Sequence, residues 1–429
     1  MTNPVSTLIR MNRNENGRVL IVGMGISGLA TAARLRRAGW EPVIVERAPQ
    51  RRSGGYFVAL FGAGQAAARR LGILDHVHDR TSSLTSVSID RKGGARPGMS
   101  YSDLPSKPWL MVRGDVEEAA FAALPEDVEV RFSTGPTAIT QDAGGVDVTL
   151  RNSATGATTT ERFDLVVGAD GLRSTVRSLA FGPHERYLRR MGFMLAAFEY
   201  PGVPAGLVAG QGATLLEPGR SMWVFAFADR NPTILLSYRT DDVDAEFTRP
   251  IGHSVRAAFG PQPPGRTLGS VLDALDTTDD VLFDSVEQVR MDSWHRGRVV
   301  LVGDSAWCVT LYAGMGVSSA LAGADVLGTM LERHPGDIAT ALAEWERGLR
   351  PYLTHYQDAA PDDRRIFVPD NHAQIQLRRA IPLLCRSRLG KRLADRIMRF
   401  DEIIEYKGSD IVAKILGEQI SPGEETRVA

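Results

Sequence analysis

A short β-rich run, Arg18 to Val22 (RVLIV), opens directly into Gly23-Met24-Gly25-Ile26-Ser27-Gly28. The run suits a buried parallel strand. After the glycines, Leu29 to Ala38 alternates apolar and basic faces at helical spacing, and Gly39 ends it. Pro42 to Val45 predicts a second strand, with Glu46 and Arg47 at its end. A strand, a glycine loop, a helix and a second strand in that order describe a Rossmann-type unit, in which two parallel strands flank a crossover helix. Gly23 permits the tight turn, Gly25 lets the backbone approach a pyrophosphate, and Gly28 lets helix and strand pack closely. Ile26 and Ser27 complete the loop at the positive helix N-terminus, where phosphates are favoured. Glu46 follows Gly28 by 18 residues, a position from which a carboxylate can accept from ribose hydroxyls. The plain alternative is a glycine-rich turn with a solvated glutamate. The motif by itself does not separate FAD from a nicotinamide dinucleotide.

The 429 residues suffice for two or three domains. A formal charge of -1 and the lack of any basic block speak against a nucleic-acid partner. Cys308 and Cys385 are the only cysteines, so a disulfide framework is not expected and a reducing, cytoplasmic setting fits. No apolar run is long enough to span a membrane. Met1 to Gly17 is polar and reads as a disordered leader without a secretory h-region. The eight histidines are scattered, and no metal-ligand spacing or Ser-His-Asp set appears. Oligomeric state leaves no mark on the sequence.

Two later segments extend the pattern. Phe163 to Val167 predicts a strand, followed by Gly168-Ala169-Asp170-Gly171 and a helix from Arg173 to Leu179 that contains Ser174 and Arg177. Arg298 to Val302 predicts a third, followed by Gly303-Asp304-Ser305-Ala306, then Ala313-Gly314-Met315-Gly316 and an Ala- and Leu-rich helix from Val317 to Leu331. In this order the three segments resemble the para-hydroxybenzoate hydroxylase-like (class A) FAD-dependent monooxygenases, over roughly residues 17 to 360. The resemblance implies FAD as cofactor. It gives Asp170 a place in the second cofactor segment, which in the family also serves NAD(P)H, and makes Asp304 the acceptor for the ribityl chain. Gly314, Gly316 and Val317 would lay backbone N–H groups along the flavin edge, and Arg113, in Met111-Val112-Arg113-Gly114-Asp115, would lie near the flavin. Arg51, Arg52, Gly54 and Gly55 match the segment over which the flavin often moves. Asp170 and Asp304 are also plain candidates for helix caps.

The third segment departs from the family pattern. Trp307 stands at the usual His, Leu311 at the usual Pro, Met315 at Gln and Ser318 at Asn. The simpler expectation for Trp307 is that it fills space, and for Cys308 that it is a small apolar residue.

The expected fold class is α/β: a discontinuous Rossmann-type FAD-binding domain (17–81, 108–182, 292–350), an inserted, mainly antiparallel substrate-binding sheet (82–107, 185–291) and C-terminal helices (351–429). Within the insert, Met222, Trp223, Phe225, Phe227 and Tyr238, with Leu311 from the flavin loop, are candidate walls for a small-molecule pocket. Alternate strand residues must face opposite ways. The sequence does not say which set faces the pocket, and any one of them could be sheet core. The function implied is NAD(P)H- and O2-dependent hydroxylation or epoxidation of a small to medium organic molecule such as a secondary metabolite. The chemistry is borne by the cofactor, so no side-chain catalyst is assigned. The competing expectation, kept open by the altered third segment, is a non-redox cyclase on the same fold in which FAD serves as a wall. A weaker one is a flavin reductase or dehydrogenase.

Overall fold

The computed structural model describes residues 17–51, 54–98, 100–101, 104, 107–384, 388–397 and 402–418. The expected leader, Arg52 and Cys385 lie outside the described residues.

The glycine motif sits at the centre of a six-stranded sheet. In sheet order its strands are β17 (His295–Arg296), β18 (Val299–Leu301), β11 (Leu165–Gly168), β1 (Arg18–Val22), β2 (Glu41–Val45) and β7 (Glu129–Arg131). All neighbours run parallel except β17 and β18. Strands buried on both faces read as continuous apolar runs, and Val19, Leu20, Ile21, Val166, Val167, Val299 and Val300 are fully buried. Each such side chain contributes about 1.5–3 kcal/mol on leaving water. β1 pairs with β2 on one side and β11 on the other, so the strand order reverses there and leaves a crevice at the carboxyl ends. The register brings three distant segments to that edge: Ala169 N donates to Val22 O (2.8 Å), Val302 N to Gly168 O (2.9 Å) and Gly23 N to Val45 O (2.8 Å).

The first helix spans Ile26–Arg37, three residues ahead of its expected start. The second half of the glycine motif is thus the helix's own first turn. A hydrophobic-periodicity reading skips that turn because Ser27 and Gly28 carry no apolar pattern. The expected strand from Phe163 divides into β10 (Thr158–Phe163) and β11, which belong to different sheets.

A seven-stranded sheet runs β16 (Leu282–Val289), β12 (Leu188–Glu199), β15 (Thr233–Arg239), β14 (Arg220–Phe225), β13 (Ala213–Glu217), β4 (Val87–Ile89) and β5 (Ala95–Pro97). It is antiparallel except for the β13–β4 pair. One face carries Met194, Ala196, Met222, Val224, Ile234, Leu236 and Tyr238 and packs on the helices Ile251–Phe259 and Gly265–Thr277. The other carries Phe193, Leu195, Ala197, Trp223, Phe225 and Leu235 and packs with Tyr312, Phe367 and Ile375. A two-stranded ribbon, β3 (Phe57–Leu60) with β6 (Trp109–Val112), adjoins this second face. A three-stranded sheet of β8 (Thr134–Gln141), β9 (Val146–Asn152) and β10 stands apart. The chain then continues through Ile338–Phe367, a helix that crosses residue 350 and contains Pro351 and Pro361, to the helices His372–Leu384 and Arg388–Ile397.

Candidate active site

The turn at Gly23 has φ +103°, and a Cβ there would lie 2.5 Å from Ala169 O. A Cβ on Gly28 would lie 2.0 Å from Gly23 O. Both contacts are with backbone, so neither relaxes by rotating a side chain. The helix Ile26–Arg37 starts at Gly25 with no side-chain cap and no acid in its first turn. The Ser27 hydroxyl there is buried without a partner. A helix end with free N–H groups, no anion of its own and an orphaned hydroxyl is a fitting seat for a phosphate. A Cβ at Gly25 would meet Arg113 Nη2 at 3.1 Å, which brings a cation to the same edge. Glu46 stands beside the loop with Oε2 accepting from Met24 N (2.9 Å) and Oε1 from Ala48 N (2.8 Å). Each oxygen keeps a lone pair for a ribose hydroxyl. Arg47 follows it, exposed, while Ile26 is buried.

Asp304 opens the short helix Asp304–Trp307. Its side chain is exposed, and Arg113 and Cys308 lie close enough to act on it. Burial raises its pKa above the ordinary range, with the Arg113 charge pulling the other way. Tyr56, Arg113 and Cys308 are each partly exposed and all act electrostatically on Asp304 or on one another. Arg113 is held by Glu117 at 2.5 Å, and its N–H donates to Tyr56 O at 2.8 Å. Burial pushes the Cys308 thiol well up, so it is a neutral group at physiological pH. Gly314, left-handed at φ +67°, turns the chain into the 18-residue helix Gly316–Arg333, which also starts without a side-chain cap or an acid in its first turn. Gly316 borders open space, and Val317 beside it is partly exposed. Two uncapped helix starts, an exposed carboxyl, an arginine and an orphaned hydroxyl are a donor and acceptor set that fits a flavin dinucleotide.

The second segment does different work. Asp170 caps the helix Thr175–Ala180, accepting from Thr175 N (2.6 Å), Val176 N (3.1 Å) and Ser174 Oγ (2.5 Å). Arg177 is fully buried and bonds Ser305 O (2.8 Å) and Leu172 O (2.6 Å), tying the second segment to the third. Ser174 is fully buried as well. Of Arg173, Ser174 and Arg177, in the segment that the resemblance links to NAD(P)H, only Arg173 reaches the surface, where it forks onto Asp284 (2.9 and 2.6 Å).

On the insert, Trp223 and Phe225 lie on the sheet face that looks toward the cleft, together with Leu311. Phe227 adjoins them, its ring 6.3 Å from Phe57. Met222 and Tyr238, expected as pocket walls, lie on the opposite face, packed on helices. In β14, the two-residue period sends Met222 and Trp223 to opposite sides. Tyr238 is fixed there by its hydroxyl, which donates to Glu246 at 2.9 Å. The cavity lined by Phe57, Tyr101, Trp223 and Phe225 has a volume of 40 Å³, room for little more than a few waters. Trp307 is not in the cleft. It is 1% exposed, packs with Trp294 and Trp345, and donates to Ser319 Oγ at 3.2 Å.

Sequence reasoning passed over Tyr56, although it directly follows Gly54-Gly55. It also missed the Ser237–Tyr312 hydroxyl pair (2.8 Å), which joins the insert to the flavin loop. Nothing local marks that pair. Among the described residues no helix is long and apolar enough to cross a membrane, and no cluster of metal-ligating side chains occurs.

Comparison with known proteins agrees with this geometry. A family model described as an FAD binding domain matches residues 16–205. A flavin-dependent monooxygenase of Legionella longbeachae is 27% identical over 350 residues, covering 79% of this chain and 87% of the relative. An FAD-dependent monooxygenase of Sarocladium schorii is 29% identical over 364 residues, covering 80% and 86%. Among solved structures, the tetracycline destructase Tet(51) matches with a TM-score of 0.73 at 25% identity, over 92% of this chain and 98% of its own. Klebsiella pneumoniae HpxO complexed with FAD and uric acid shares the fold, with a TM-score of 0.70 at 21% identity over 91% and 97%. With the three glycine segments meeting at one sheet edge, the chain carries an FAD-binding domain and is similar to FAD-dependent monooxygenases of the para-hydroxybenzoate hydroxylase-like type.

Proposed function

We propose that the protein is an NAD(P)H- and O2-dependent monooxygenase that hydroxylates or epoxidises a small to medium organic molecule of the secondary-metabolite type. The observation that carries this is the cluster of Asp304, Arg113, Tyr56 and Cys308 at the glycine edge, with Tyr56 packed against the aromatic face of the insert. Bound FAD would supply the electron and oxygen chemistry there. The protein's part is to bind, orient and keep water out. Gly25, Ser27, Glu46 and Arg113 would hold the dinucleotide, and Asp304 would accept from its sugar-alcohol chain. The start of the helix Gly316–Arg333, with no cap or acid of its own, would offer positive N–H dipoles to negative charge on the reduced cofactor. Trp223, Phe225 and Leu311 would present an apolar wall that orients the substrate. Support for a monooxygenase comes from the relatives named for that activity and from the tetracycline destructase, whose name points to an organic small molecule as target. Support for NAD(P)H is thinner, since Ser174 and Arg177 are committed to internal bonds and Arg173 alone faces a groove, beside Arg190 and Phe247.

The test is stopped-flow absorbance of the FAD-loaded protein mixed with NADPH or NADH, with and without candidate substrates, then with O2. Bleaching of the flavin followed by O2-dependent recovery and an oxygenated product is the expected result. A flavin that stays oxidised with both nicotinamides under every condition would overturn the proposal and make the non-redox cyclase the leading reading.

A further inference from the structure

The helix Arg113–Ala122 starts at the residue that brings a cation to the glycine edge, and its first turn is held from three directions. The Arg113 N–H donates to the carbonyl of Tyr56, the residue after Gly54-Gly55 (2.8 Å). A Cβ on Gly114 would lie 2.3 Å from Gly54 O, so that loop presses directly on the helix backbone. The third hold is Arg80. Its Nε and Nη2 fork onto the two oxygens of Asp115 (2.8 and 3.0 Å). Oδ2 of that carboxylate also accepts from Val112 N (3.0 Å), one residue ahead of Arg113. The remaining fork nitrogen, Nη1, reaches Asp229 (2.5 Å). The Arg113 guanidinium is bonded to Glu117 (2.5 Å), four residues on in the same helix, so where the helix goes the cation goes.

The backbone of Arg80 is placed as firmly as its side chain. Its N–H donates to Leu110 O in β6 (2.8 Å), and its carbonyl accepts from Ala228 N (2.9 Å). Ala228 and Asp229 lie in the turn between β14 and β15, and Phe227 of the same turn bridges to Thr81. One residue therefore joins the ribbon strand that feeds Arg113, the carboxylate that caps the helix, and a hairpin of the insert sheet. Arginine suits this task, because its planar fork meets both oxygens of one carboxylate and leaves an N–H for a second. The Asp115 side chain is 14% exposed and that of Asp229 41%, so solvent screens the Asp229 contact more. Without Arg80, Asp115 keeps its bond to Val112 N and its favourable place at a helix N-terminus. The helix then persists, but its first turn loses the side-chain tie to the insert.

We infer that Arg80 is a positioning residue: by forking onto Asp115 and reaching Asp229 it fixes the first turn of the helix Arg113–Ala122 against the insert sheet, and so holds the Arg113 guanidinium at the phosphate seat beside Gly25. This deepens the proposed function and rests on its placing of FAD at the glycine edge. No redox step enters it.

The experiment is a double-mutant cycle on FAD affinity, with no nicotinamide present. The FAD-loaded full chain is diluted, the fluorescence of released FAD gives the Kd, and visible circular dichroism reports the setting of the bound flavin. Arg113→Met is expected to raise the Kd about tenfold or more, the scale of one charge-assisted hydrogen bond. Arg80→Met is expected to raise it about three- to tenfold and to change the flavin dichroism in the same sense. The double variant should bind FAD within about twofold of Arg113→Met alone, because Arg80 acts through a group already removed. A merely structural role would instead add its loss to the double variant. Losses that multiply, or an Arg80→Met protein with wild-type affinity and dichroism, overturn the inference and leave the proposed function standing. An Arg113→Met protein that holds FAD as tightly as wild type overturns both the inference and the placing of FAD beside Arg113. Should Arg80→Met fail to fold, Arg80→Lys takes its place in the cycle: it keeps the charge without the planar fork, and a smaller loosening is expected, again absent from the double variant. A protein that shows the coupling but whose flavin no nicotinamide reduces would sink the monooxygenase reading alone.

Discussion

Replacing Trp307 tests whether the altered third segment serves packing or the flavin cleft. The indole is 1% exposed, with ring centroids 4.8 Å from Trp294 and 5.8 Å from Trp345. A Cβ on Gly323 would sit 2.9 Å from its outer edge, so the ring fills the space that this glycine leaves. Trp307→Ala removes the ring from a site closed on every side, and such truncations cost about 3–5 kcal/mol. Trp307→Phe keeps most of the apolar volume and loses the N–H bond to Ser319 Oγ, which still donates to Gly316 O (3.0 Å). Its cost is about 1–2 kcal/mol, one neutral hydrogen bond plus a small void. Trp307→His, the family's residue, falls between them, since a smaller polar ring enters a tryptophan cluster. Urea denaturation of the FAD-loaded variants, followed by far-UV circular dichroism, measures the order Ala, His, Phe from most to least destabilised. The rate of flavin reduction in folded Trp307→Phe should match wild type. A Trp307→Ala cost under about 1 kcal/mol, or a changed reduction rate in Trp307→Phe at unchanged stability, would refute the packing argument and put the indole back in the cleft.

Further outcomes follow from the site. Asp304 holds its proton more tightly folded than unfolded, so the FAD-free protein loses stability as pH rises from the ordinary value of 3.8 to the raised folded one, and the loss is complete above it. Asp304→Asn should therefore raise the melting temperature of FAD-free protein at neutral pH and weaken FAD binding, with the stability gap closing in acid; a variant less stable at neutral pH would contradict this. Gly28→Ala forces a Cβ to 2.0 Å from Gly23 O, and the displaced loop should leave the purified protein colourless, whereas full FAD occupancy would show that the close approach is not required. Tyr312→Phe and Ser237→Ala, alone and combined, should reveal a coupling of about 1 kcal/mol for their buried hydroxyl pair in a double-mutant cycle; additive effects would mean the pair contributes no coupling.

Much of the cofactor edge was legible because its constraints are local. Gly23, Gly28 and the apolar run Arg18–Val22 must be what they are for one turn of chain to form, and a strand–turn–helix unit carries its signature within some twenty residues. The strand spacing also announced a second sheet, and period-two alternation required Met222 and Trp223 to part company. What alternation cannot give is the side on which another element packs. That choice came from the helices Ile251–Phe259 and Gly265–Thr277 covering one face and left Trp223 and Phe225 for the cleft.

By itself, the sequence determined the Rossmann unit, the order of the three glycine segments and the likeness to FAD-dependent monooxygenases that they carry. Tertiary structure decided which residues those segments release for a ligand and which they consume internally. Asp170, Ser174 and Arg177 looked like cofactor residues and are spent on a helix cap and on Ser305, since buried polar groups must find partners wherever the fold puts them. Trp307, expected to fill space, does so in a tryptophan core: a large ring goes where a glycine leaves room. Arg80 reached Asp229 across 149 residues of chain, a separation over which no local pattern in the sequence can speak.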